Sequence, residues 1–360
     1  MNHPIGVGVV GLSARGGWGA GAHLPAMAAA GGFELRGLVA SSQGSARAAA
    51  RRFGVPAHDS VAQLAAAEDV ELVVVTVKTP AHRELVLPAL AAGKPVFCEW
   101  PFAVDHPEAV RMATAASGVP TFVGLQGRSS PRFRWLADLV ADGYVGEVLS
   151  VTVLSTVAEW GSPVSERMAY TLDREQGATM LAIAFGHAID PVLMVTGELR
   201  DVVATTAVRH PRVPLAGTGR YVPVTADDQI AISGTLPGGA VLSAHQRGGT
   251  ASGPGFSLRI DGTAGTLVAT AADHPHLVPL TVRGARGSGE PATLALPAGY
   301  DAFPRFDGTV IHTLVHAYAG IGEGLRGGAR TVPDFAHAAQ RHGLLDAVVR
   351  SSATGRRVEL

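Results

Sequence analysis

Short apolar runs alternate with longer segments of mixed polarity over the first third of the chain. The segments between these runs are rich in alanine and have helical character. This alternation predicts a parallel sheet with helices on both faces, a doubly wound α/β fold. The predicted strands are Ile5–Val10, Phe33–Ala40, Glu71–Val77, Pro95–Cys98 and Thr121–Val123. The predicted helices are His23–Ala30, Ser45–Phe53, Val61–Ala67, Ala81–Ala92 and Pro107–Ser117.

After residue 145 the pattern changes to β-like runs separated by glycine-rich turns such as Pro237–Gly239. These runs are Val148–Val157, Val202–Val208, Gln229–Leu236, Ala240–His245 and Phe256–Ile260. Two helical segments, Gln176–Val195 and Asp334–Ser351, accompany them. Because 360 residues suit two domains, we predict a Rossmann domain over 1–123 and an α+β domain over 124–360 for substrate binding and oligomerisation.

Composition and charge exclude several classes of protein. The net charge of −1 argues against nucleic acid or an anionic membrane as the main partner. The single cysteine, Cys98, excludes an internal disulfide, and the scattered histidines predict no metal site. No apolar stretch is long enough to span a membrane, and the N-terminus does not resemble a signal peptide, so we expect a cytoplasmic protein.

A glycine-rich turn, Gly11–Gly17, follows the first strand and precedes the first helix. In a dinucleotide fingerprint, one small residue makes the tight turn, a second lets the backbone approach the diphosphate, and a third allows close helix packing. Gly11, Ser13 and either Gly16 or Gly17 occupy these places. We therefore predict a cofactor site that includes this turn, among its residues Ala14 and Trp18.

The end of the second strand bears on the choice of cofactor. An NAD enzyme usually has an acidic residue there, whereas this chain has Ala40-Ser41-Ser42 followed by Arg47. Hydroxyls and a guanidinium suit the 2′-phosphate, so NADP is predicted as the preferred cofactor, with NAD possible. The alternative is that the serines only cap the next helix.

Several motifs together resemble the Gfo/Idh/MocA family of glucose–fructose oxidoreductase and inositol dehydrogenase. They occur in the family's order: Gly8–Gly11, Leu90–Pro101, Phe185–Asp190, Ile260–Leu267 and Ser352–Val358. Within the family, Gly11–Ala14, Gly17-Trp18, Glu99–Pro101 and Leu125–Pro131 are most similar to the branch of the fungal galactose-pathway repressor. That branch uses the fold to sense a dinucleotide and another protein.

The resemblance implies a C-terminal domain with a large, open, mostly antiparallel sheet. In this family the outer face of the sheet commonly forms a dimer contact, so a homodimer or homotetramer is expected. The resemblance also implies that Glu99 orients the nicotinamide ribose or ring. We further assign to the cofactor site Thr76, Lys78, His82, Trp100 and Pro101.

The chain departs from the family at two positions that normally carry chemistry. Trp100 replaces the usual lysine, and Ile183 stands where the usual aspartate would be. His187 remains, and it is either a general acid or base or a core histidine satisfied by a neighbour.

Other candidates each have a structural alternative. Lys78 ends its strand near the place of the nicotinamide, and it is either a replacement proton carrier or a surface amine. Tyr170 is either an acid or a packing aromatic. Arg128, Trp160 and Asp190 are candidate substrate contacts, with a loop salt bridge or core packing as the competing interpretations.

Two functions follow from these residues. The first is an NAD(P)-dependent oxidoreductase that moves a hydride between the cofactor and a carbohydrate-like alcohol or ketone, such as a sugar, cyclitol or nucleotide sugar. The second is a non-catalytic, dinucleotide-sensing regulator that binds a partner protein.

Overall fold

The structure is a computed structural model that describes residues 3–250, 252–253 and 255–360. The strands are β1 Ile5–Val10, β2 Phe33–Val39, β3 Leu72–Val75, β4 Val96–Cys98, β5 Thr121–Val123, β6 Val148–Thr156, β7 Asp201–Ala207, β8 Arg212–Pro214, β9 Tyr221–Pro223, β10 Gln229–Thr235, β11 Val241–Arg247, β12 Phe256–Gly262, β13 Gly265–Ala271, β14 Thr281–Arg286, β15 Ala292–Thr293 and β16 Val358–Glu359. The α-helices are α1 Leu24–Ala30, α2 Gln43–Phe53, α3 Val61–Ala66, α4 His82–Ala91, α5 His106–Ala115, α6 Pro131–Ala141, α7 Gly186–Thr196, α8 His312–Leu325 and α9 Phe335–Thr354.

The N-terminal sheet is parallel throughout. Among the described residues it has five strands in the order β2-β1-β3-β4-β5. Its central strands β1 and β3 are buried along their whole length, as expected for a sheet covered on both faces. This confirms the predicted Rossmann-type fold.

The chain divides into two compact units. The first contains residues 1–129 and 310–340, and the second contains 130–309 and 341–360. Residues 310–340 join the first unit through helix α8 and the start of α9. There Phe335 packs on Phe102 with ring centroids 4.3 Å apart, and its backbone N–H donates to the Thr121 hydroxyl.

The second unit is built on a larger, mostly antiparallel sheet. Within the described part of the chain, its nine strands run in the order β15-β14-β13-β12-β6-β11-β10-β7-β16. Only the β6–β11 pair is parallel among its described pairings. Alternate residues of β6, such as Val151 and Val153, are buried, while Thr152 between them is exposed. One face of the sheet therefore carries the core, and the predicted fold class of this domain is also confirmed.

The predicted helix Gln176–Val195 begins later than its periodicity indicated. Gly177 has a φ of +71°, which breaks the helical path, and helical structure resumes as a π-helical turn at Leu181–Phe185 that continues into α7. In the described residues, no helix combines the length and apolar character needed to cross a membrane.

Candidate functional site

The loop after β1 has little side-chain volume. Gly11, Gly16 and Gly17 have φ values of +95°, +96° and +113°, which residues with a Cβ rarely adopt. A Cβ on Gly11 would lie 2.7 Å from Cγ1 of Val77, whereas one on Gly16 would have nothing within 4 Å. Gly11 therefore makes the tight turn, and the backbone at Gly16 is open to a close-fitting group.

The close helix packing predicted for Gly16 or Gly17 is provided by Gly19. A Cβ on Gly19 would lie 2.8 Å from the hydroxyl oxygen of Thr76. That hydroxyl donates to the Val10 carbonyl at 3.0 Å, so it is held in place. In this structure Thr76, predicted as a cofactor contact, packs the turn against β1.

A cation reaches the turn from helix α2. The guanidinium of Arg52 donates to the carbonyl oxygen of Ala14. The Ser13 hydroxyl accepts from the Arg15 backbone N–H at 3.1 Å, and the Ser13 carbonyl accepts from Gly16 N–H at 3.2 Å. The turn thus places backbone groups, one hydroxyl and one positive charge beside each other, an arrangement that suits a diphosphate.

Ser41, Ser42 and Arg47 are exposed just beyond β2. The Ser42 hydroxyl accepts from Ser45 N–H at 3.2 Å, and Ser45 reciprocates, so that the two serines form a capping box for α2. Ser42 therefore matches the alternative of a helix cap. Ser41 and Arg47 keep exposed polar groups on a segment without a carboxylate.

Lys78 and His82 have different environments. Lys78 is exposed and lies three residues beyond β3, at the start of the 3₁₀ turn Thr79–Ala81. His82 is buried, with Nε2 3.0 Å from the Val77 carbonyl and Nδ1 3.1 Å from the Phe102 carbonyl. Burial lowers the pKa of His82. The His82 ring therefore ties together backbone segments of the fold, which leaves Lys78 as the accessible candidate.

Glu99 follows β4 directly, and 12% of its side chain is exposed. Its Oε1 lies 2.8 Å from Nε2 of His23. The other side of the carboxylate faces Gly124, where an added Cβ would come within 3.0 Å of it. A histidine and a glycine thus define the position of this carboxylate at the end of the sheet strand.

The two tryptophans predicted near the cofactor differ in their surroundings. Trp100, followed by a cis bond to Pro101, is 5% exposed, which supports core packing over stacking on a ligand. Trp18 is half-buried, and its indole Nε1 is buried with no hydrogen-bond partner among the described residues. A buried donor without an acceptor is costly, so this atom is well placed for a ligand oxygen.

Arg128 lies half-buried in the 3₁₀ turn Gln126–Ser129. Two other residues of this turn have buried polar atoms without hydrogen-bond partners in the described chain, namely Oε1 of Gln126 and the hydroxyl of Ser129. The turn is therefore a polar segment with unused hydrogen-bonding capacity.

In the second unit, His187 belongs to a cluster of imidazoles. Its ring stacks on that of His276 with centroids 3.9 Å apart and planes 16° from parallel, and His274 meets His276 edge-on at 5.5 Å. Burial, followed by the charge of His274, lowers the pKa of His187 to about 3. His187 is therefore neutral at physiological pH, with a buried Nδ1 that has no hydrogen-bond partner among the described residues. Its Nδ1 can accept or donate a hydrogen bond, depending on the tautomer, but an imidazole with so low a pKa is a weak base.

Asp190, predicted as a substrate contact, is fully buried. Nε of Arg341 donates to its Oδ1 at 3.0 Å, and Nη2 of Arg341 donates to Glu198 at 2.8 Å. The Asp190 carboxylate is therefore the partner of a buried cation within the second unit, which is a structural role. We therefore leave Asp190 out of the proposed substrate set.

Trp160 and Tyr170 also differ in accessibility. Trp160 is buried, has a φ of +62°, and donates from Nε1 to the Thr171 carbonyl at 3.2 Å, which matches core packing. Tyr170 is half-buried in the 3₁₀ turn Ala169–Leu172, and burial raises its pKa. The Tyr170 phenol therefore keeps its proton at neutral pH and can donate it.

The sequence interpretation missed five residues that the structure brings to these sites: Gly19, His23, Arg52, His276 and Tyr318. For Gly19 the sequence contains a visible pattern, the glycine-rich run Gly16–Gly21. For His276 it contains the closely spaced pair His274-Pro-His276. Tyr318 bonds to a residue 295 positions away, and no local pattern indicates such a contact.

Two family models match the chain. Residues 5–124 match the oxidoreductase family with an NAD-binding Rossmann fold, Gfo/Idh/MocA. Residues 131–271 match the Gal80p C-terminal domain. The chain is thus similar to this oxidoreductase family over its first third and to the Gal80p C-terminal domain over much of the remainder.

Curated relatives include both enzymes and regulators. Dehydrogenase aclE of Aspergillus oryzae is 33% identical over 191 residues, covering 52% of this chain and 52% of its own. The galactose/lactose metabolism regulatory protein GAL80 of Saccharomyces cerevisiae is 28% identical over 267 residues, covering 68% and 61%. Myo-inositol dehydrogenase Hyg17 of Streptomyces leeuwenhoekii is 37% identical over 157 residues, covering 42% and 45%. The chain therefore spans less than two thirds of each of these relatives.

Solved structures share the whole fold. A super-repressor mutant of Saccharomyces cerevisiae Gal80p has a TM-score of 0.89 at 23% identity, covering 99% of this chain and 98% of its own. Levoglucosan dehydrogenase in complex with NADH and levoglucosan has a TM-score of 0.84 at 23% identity, covering 99% of both chains. At such identities the likeness concerns the fold alone.

Proposed function

We propose that the chain binds a nicotinamide dinucleotide at the Gly11–Gly17 turn, since residues 5–124 match the NAD-binding Gfo/Idh/MocA oxidoreductase model and residues 131–271 match the Gal80p C-terminal model. We propose further that it uses this cofactor to oxidise or reduce a carbohydrate-like alcohol or ketone. The observation that carries the proposal is the turn itself, which has three positive-φ glycines, open backbone at Gly16 and a hydrogen bond from the Arg52 guanidinium to the Ala14 carbonyl.

The first unit offers a group for each part of the dinucleotide. Ser13, the open backbone at Gly16 and Arg52 would hold the diphosphate. Ser41 would meet the adenosine ribose, and Glu99 would accept hydrogen bonds from the nicotinamide ribose. When bound, the nicotinamide ring supplies or accepts a hydride.

The proposed preference for NADP rests on the exposed Ser41 and Arg47 and on the lack of a carboxylate after β2. Two observations favour NAD instead. Ser42 is used as a helix cap, and the structurally similar levoglucosan dehydrogenase holds NADH. We therefore propose that both dinucleotides bind, and that Arg47 sets the ratio of their affinities.

Hydride transfer to or from an alcohol carbon requires that the oxygen gain or lose a proton. Tyr170 and Lys78 are the proposed proton carriers, because burial raises the pKa of the Tyr170 phenol so that it holds its proton, and the Lys78 side chain is exposed. Neutral His187 is proposed as a hydrogen-bond acceptor for a substrate hydroxyl. Arg128 is the proposed contact to substrate hydroxyls.

The test is turnover with a defined panel. Purified protein is incubated with NAD, NADP or their reduced forms and with sugars, cyclitols, nucleotide sugars and the matching ketones, and nicotinamide absorbance is followed. The enzyme proposal expects turnover with at least one compound, and Tyr170→Phe should lower kcat by roughly 10²-fold or more if Tyr170 carries the proton. Binding of dinucleotide without turnover on the entire panel would contradict the enzyme proposal.

A second function is favoured by a specific observation. Trp100 and Ile183 stand where a lysine and an aspartate are usual, and the remaining His187 is buried with a pKa of about 3. A protein with these residues could sense the dinucleotide and change its affinity for a partner protein. Tight dinucleotide binding, no turnover, and a dinucleotide-dependent change in protease sensitivity would support the sensor over the enzyme.

The assembly is also a proposal. The face of the larger sheet opposite its core exposes polar side chains such as Thr152, Ser243 and Arg259. We propose that this face forms a homodimer or homotetramer contact, to be tested by light scattering of the protein and of a Thr152→Arg variant.

A further inference from the structure

His23 connects Glu99 to a tyrosine on helix α8. Its Nε2 lies 2.8 Å from Oε1 of Glu99, and its Nδ1 lies 2.6 Å from the hydroxyl of Tyr318. His23 and Tyr318 are both 0% exposed, while Glu99 retains 12% exposure of its side chain. The three residues therefore form a row in the first unit that leads from a buried phenol to a partly accessible carboxylate.

The chemistry of the three groups fixes the direction of the protons. An ionised carboxylate only accepts, so Nε2 of His23 must carry a hydrogen to meet Glu99. In the neutral tautomer that carries this hydrogen, Nδ1 has a lone pair to which the Tyr318 hydroxyl can donate. Burial, with the charge of Glu99 acting in the same direction, raises the pKa of Tyr318 well above its ordinary value. Tyr318 therefore keeps the proton that this row requires.

Aromatic packing holds the tyrosine in one orientation. The Tyr318 ring makes edge contacts with Phe33 and Phe97 at centroid distances of 5.3 and 5.7 Å. His23 is the last residue of the π-helical turn Gly19–His23, an irregularity that often occurs at functional positions. The packing leaves His23 as the hydrogen-bond partner of the Tyr318 hydroxyl.

The contact between His23 and Glu99 is close but not aligned. Although the two atoms are 2.8 Å apart, neither has a hydrogen-bond partner of suitable angle among the described residues. Such contacts often tighten only when a ligand is bound. Gly124 leaves the space in which the carboxylate sits, since a Cβ there would come within 3.0 Å of Glu99.

We propose that His23 and Tyr318 are positioning residues that hold the Glu99 carboxylate toward the nicotinamide ribose of the bound dinucleotide. This inference rests on the proposed function, because it assigns the ribose to Glu99. Tyr318 and His23 act through Glu99 and do not touch the cofactor. The row explains why a histidine and a tyrosine are buried together behind a carboxylate that would otherwise be held on one side only.

The test is a double-mutant cycle on dinucleotide affinity, measured by calorimetry with NADH and NADPH on the full chain. Tyr318→Phe removes a single hydroxyl from an apolar surround and should fold; a thermal melt without ligand checks this. We expect Tyr318→Phe to lower the affinity for whichever dinucleotide binds more tightly by roughly three- to tenfold. In a Glu99→Ala background the same change should have no effect, because its only route to the ligand is then absent.

Gly124, on the other side of the Glu99 carboxylate, offers a second test of its position. Gly124→Ala should displace the Glu99 carboxylate and weaken binding by a similar factor, again only when Glu99 is present. Histidine ¹⁵N spectra, with the His23 signal identified by its loss in His23→Gln, should show the Nε2-protonated form of His23. In Tyr318→Phe this preference should diminish, a change that lost packing alone would not produce.

The outcomes separate the two proposals. If the wild-type protein binds neither dinucleotide, the proposed function fails and the inference with it. If the wild type binds but Tyr318→Phe binds equally well, or weakens binding to the same degree with and without Glu99, the positioning role alone is wrong. Loss of the effect in the Glu99→Ala background supports the positioning role.

Discussion

The imidazole of His187 lies stacked on the imidazole of His276, with centroids 3.9 Å apart. Two buried imidazoles at this distance cannot both be charged without strong repulsion, and burial lowers the pKa of each. The cluster is therefore neutral at physiological pH. Keeping these imidazoles neutral in the fold lowers the free energy of unfolding when the pH falls.

The first prediction concerns acid stability. The pKa of His187 is about 3 in the fold against an ordinary value of 6.5, so the unfolded chain binds more protons between these values. Stability should therefore rise with pH across this window and fall as the pH drops below 6.5, by up to roughly 1.4 kcal/mol per pH unit from this group. His187→Asn should flatten the dependence, as measured by urea unfolding between about pH 7.5 and about pH 4.5.

The matched control is His3→Gln, since the His3 side chain is 77% exposed. His3→Gln should retain the wild-type pH dependence of the free energy of unfolding. An unchanged slope in His187→Asn would show that this imidazole titrates normally in the fold.

The second prediction concerns the glycine turn. Gly11→Ala places a methyl group 2.7 Å from Val77 at a φ of +95°, so it should lower the free energy of unfolding by about 1–3 kcal/mol. The control is Gly21→Ala, where a Cβ would have nothing within 4 Å and φ is not positive. Urea unfolding should leave Gly21→Ala neutral or slightly stabilised. Equal effects at both positions would contradict the strain argument.

The third prediction concerns the buried ion pair. Asp190→Asn leaves the fully buried Arg341 guanidinium without its only fully buried counter-charge among the described ion pairs of this arginine, which should cost about 3–5 kcal/mol of unfolding free energy. Glu198 is 37% exposed, so Glu198→Gln should cost much less, about 1 kcal/mol or below. The comparison is made by chemical denaturation at neutral pH. Similar losses in the two variants would mean that Asp190 has no special structural role.

The fourth prediction concerns the cofactor. If Arg47 contacts the 2′-phosphate, Arg47→Ala should lower the affinity for NADPH by roughly tenfold and change the affinity for NADH little. Arg111→Ala, an exposed arginine on α5, controls for the change in net charge. Calorimetry gives both affinities. A parallel loss for NADH and NADPH would remove Arg47 from the 2′-phosphate site.

The sequence predicted much of the fold because short apolar runs and glycines report local structure. The five parallel strands and the Gly11 turn follow from such patterns. The role of Gly19 was missed because several glycines stand together, and only the position of Thr76 shows which of them packs against the sheet.

The rest of the site depends on contacts between distant segments. Asp190 matched a candidate substrate position, but its charge is paired with Arg341, 151 residues away in the chain. Tyr318 behind His23, and His276 over His187, are likewise products of tertiary structure. Residue type and spacing identify groups able to carry chemistry, but burial and partners decide which of them are available.

The most direct test of dinucleotide binding at the turn uses a pair of variants that differ only in charge. Ser13→Asp and Ser13→Asn add side chains of nearly the same shape to the half-buried second place of the turn. Calorimetric titration with NAD(H) and NADP(H) should give binding for the wild type, modest weakening for Ser13→Asn, and a further loss of roughly tenfold or more for Ser13→Asp, because a carboxylate repels the diphosphate. Absence of binding in the wild type, or equal affinities for the two variants, would contradict the assignment of the diphosphate to this turn.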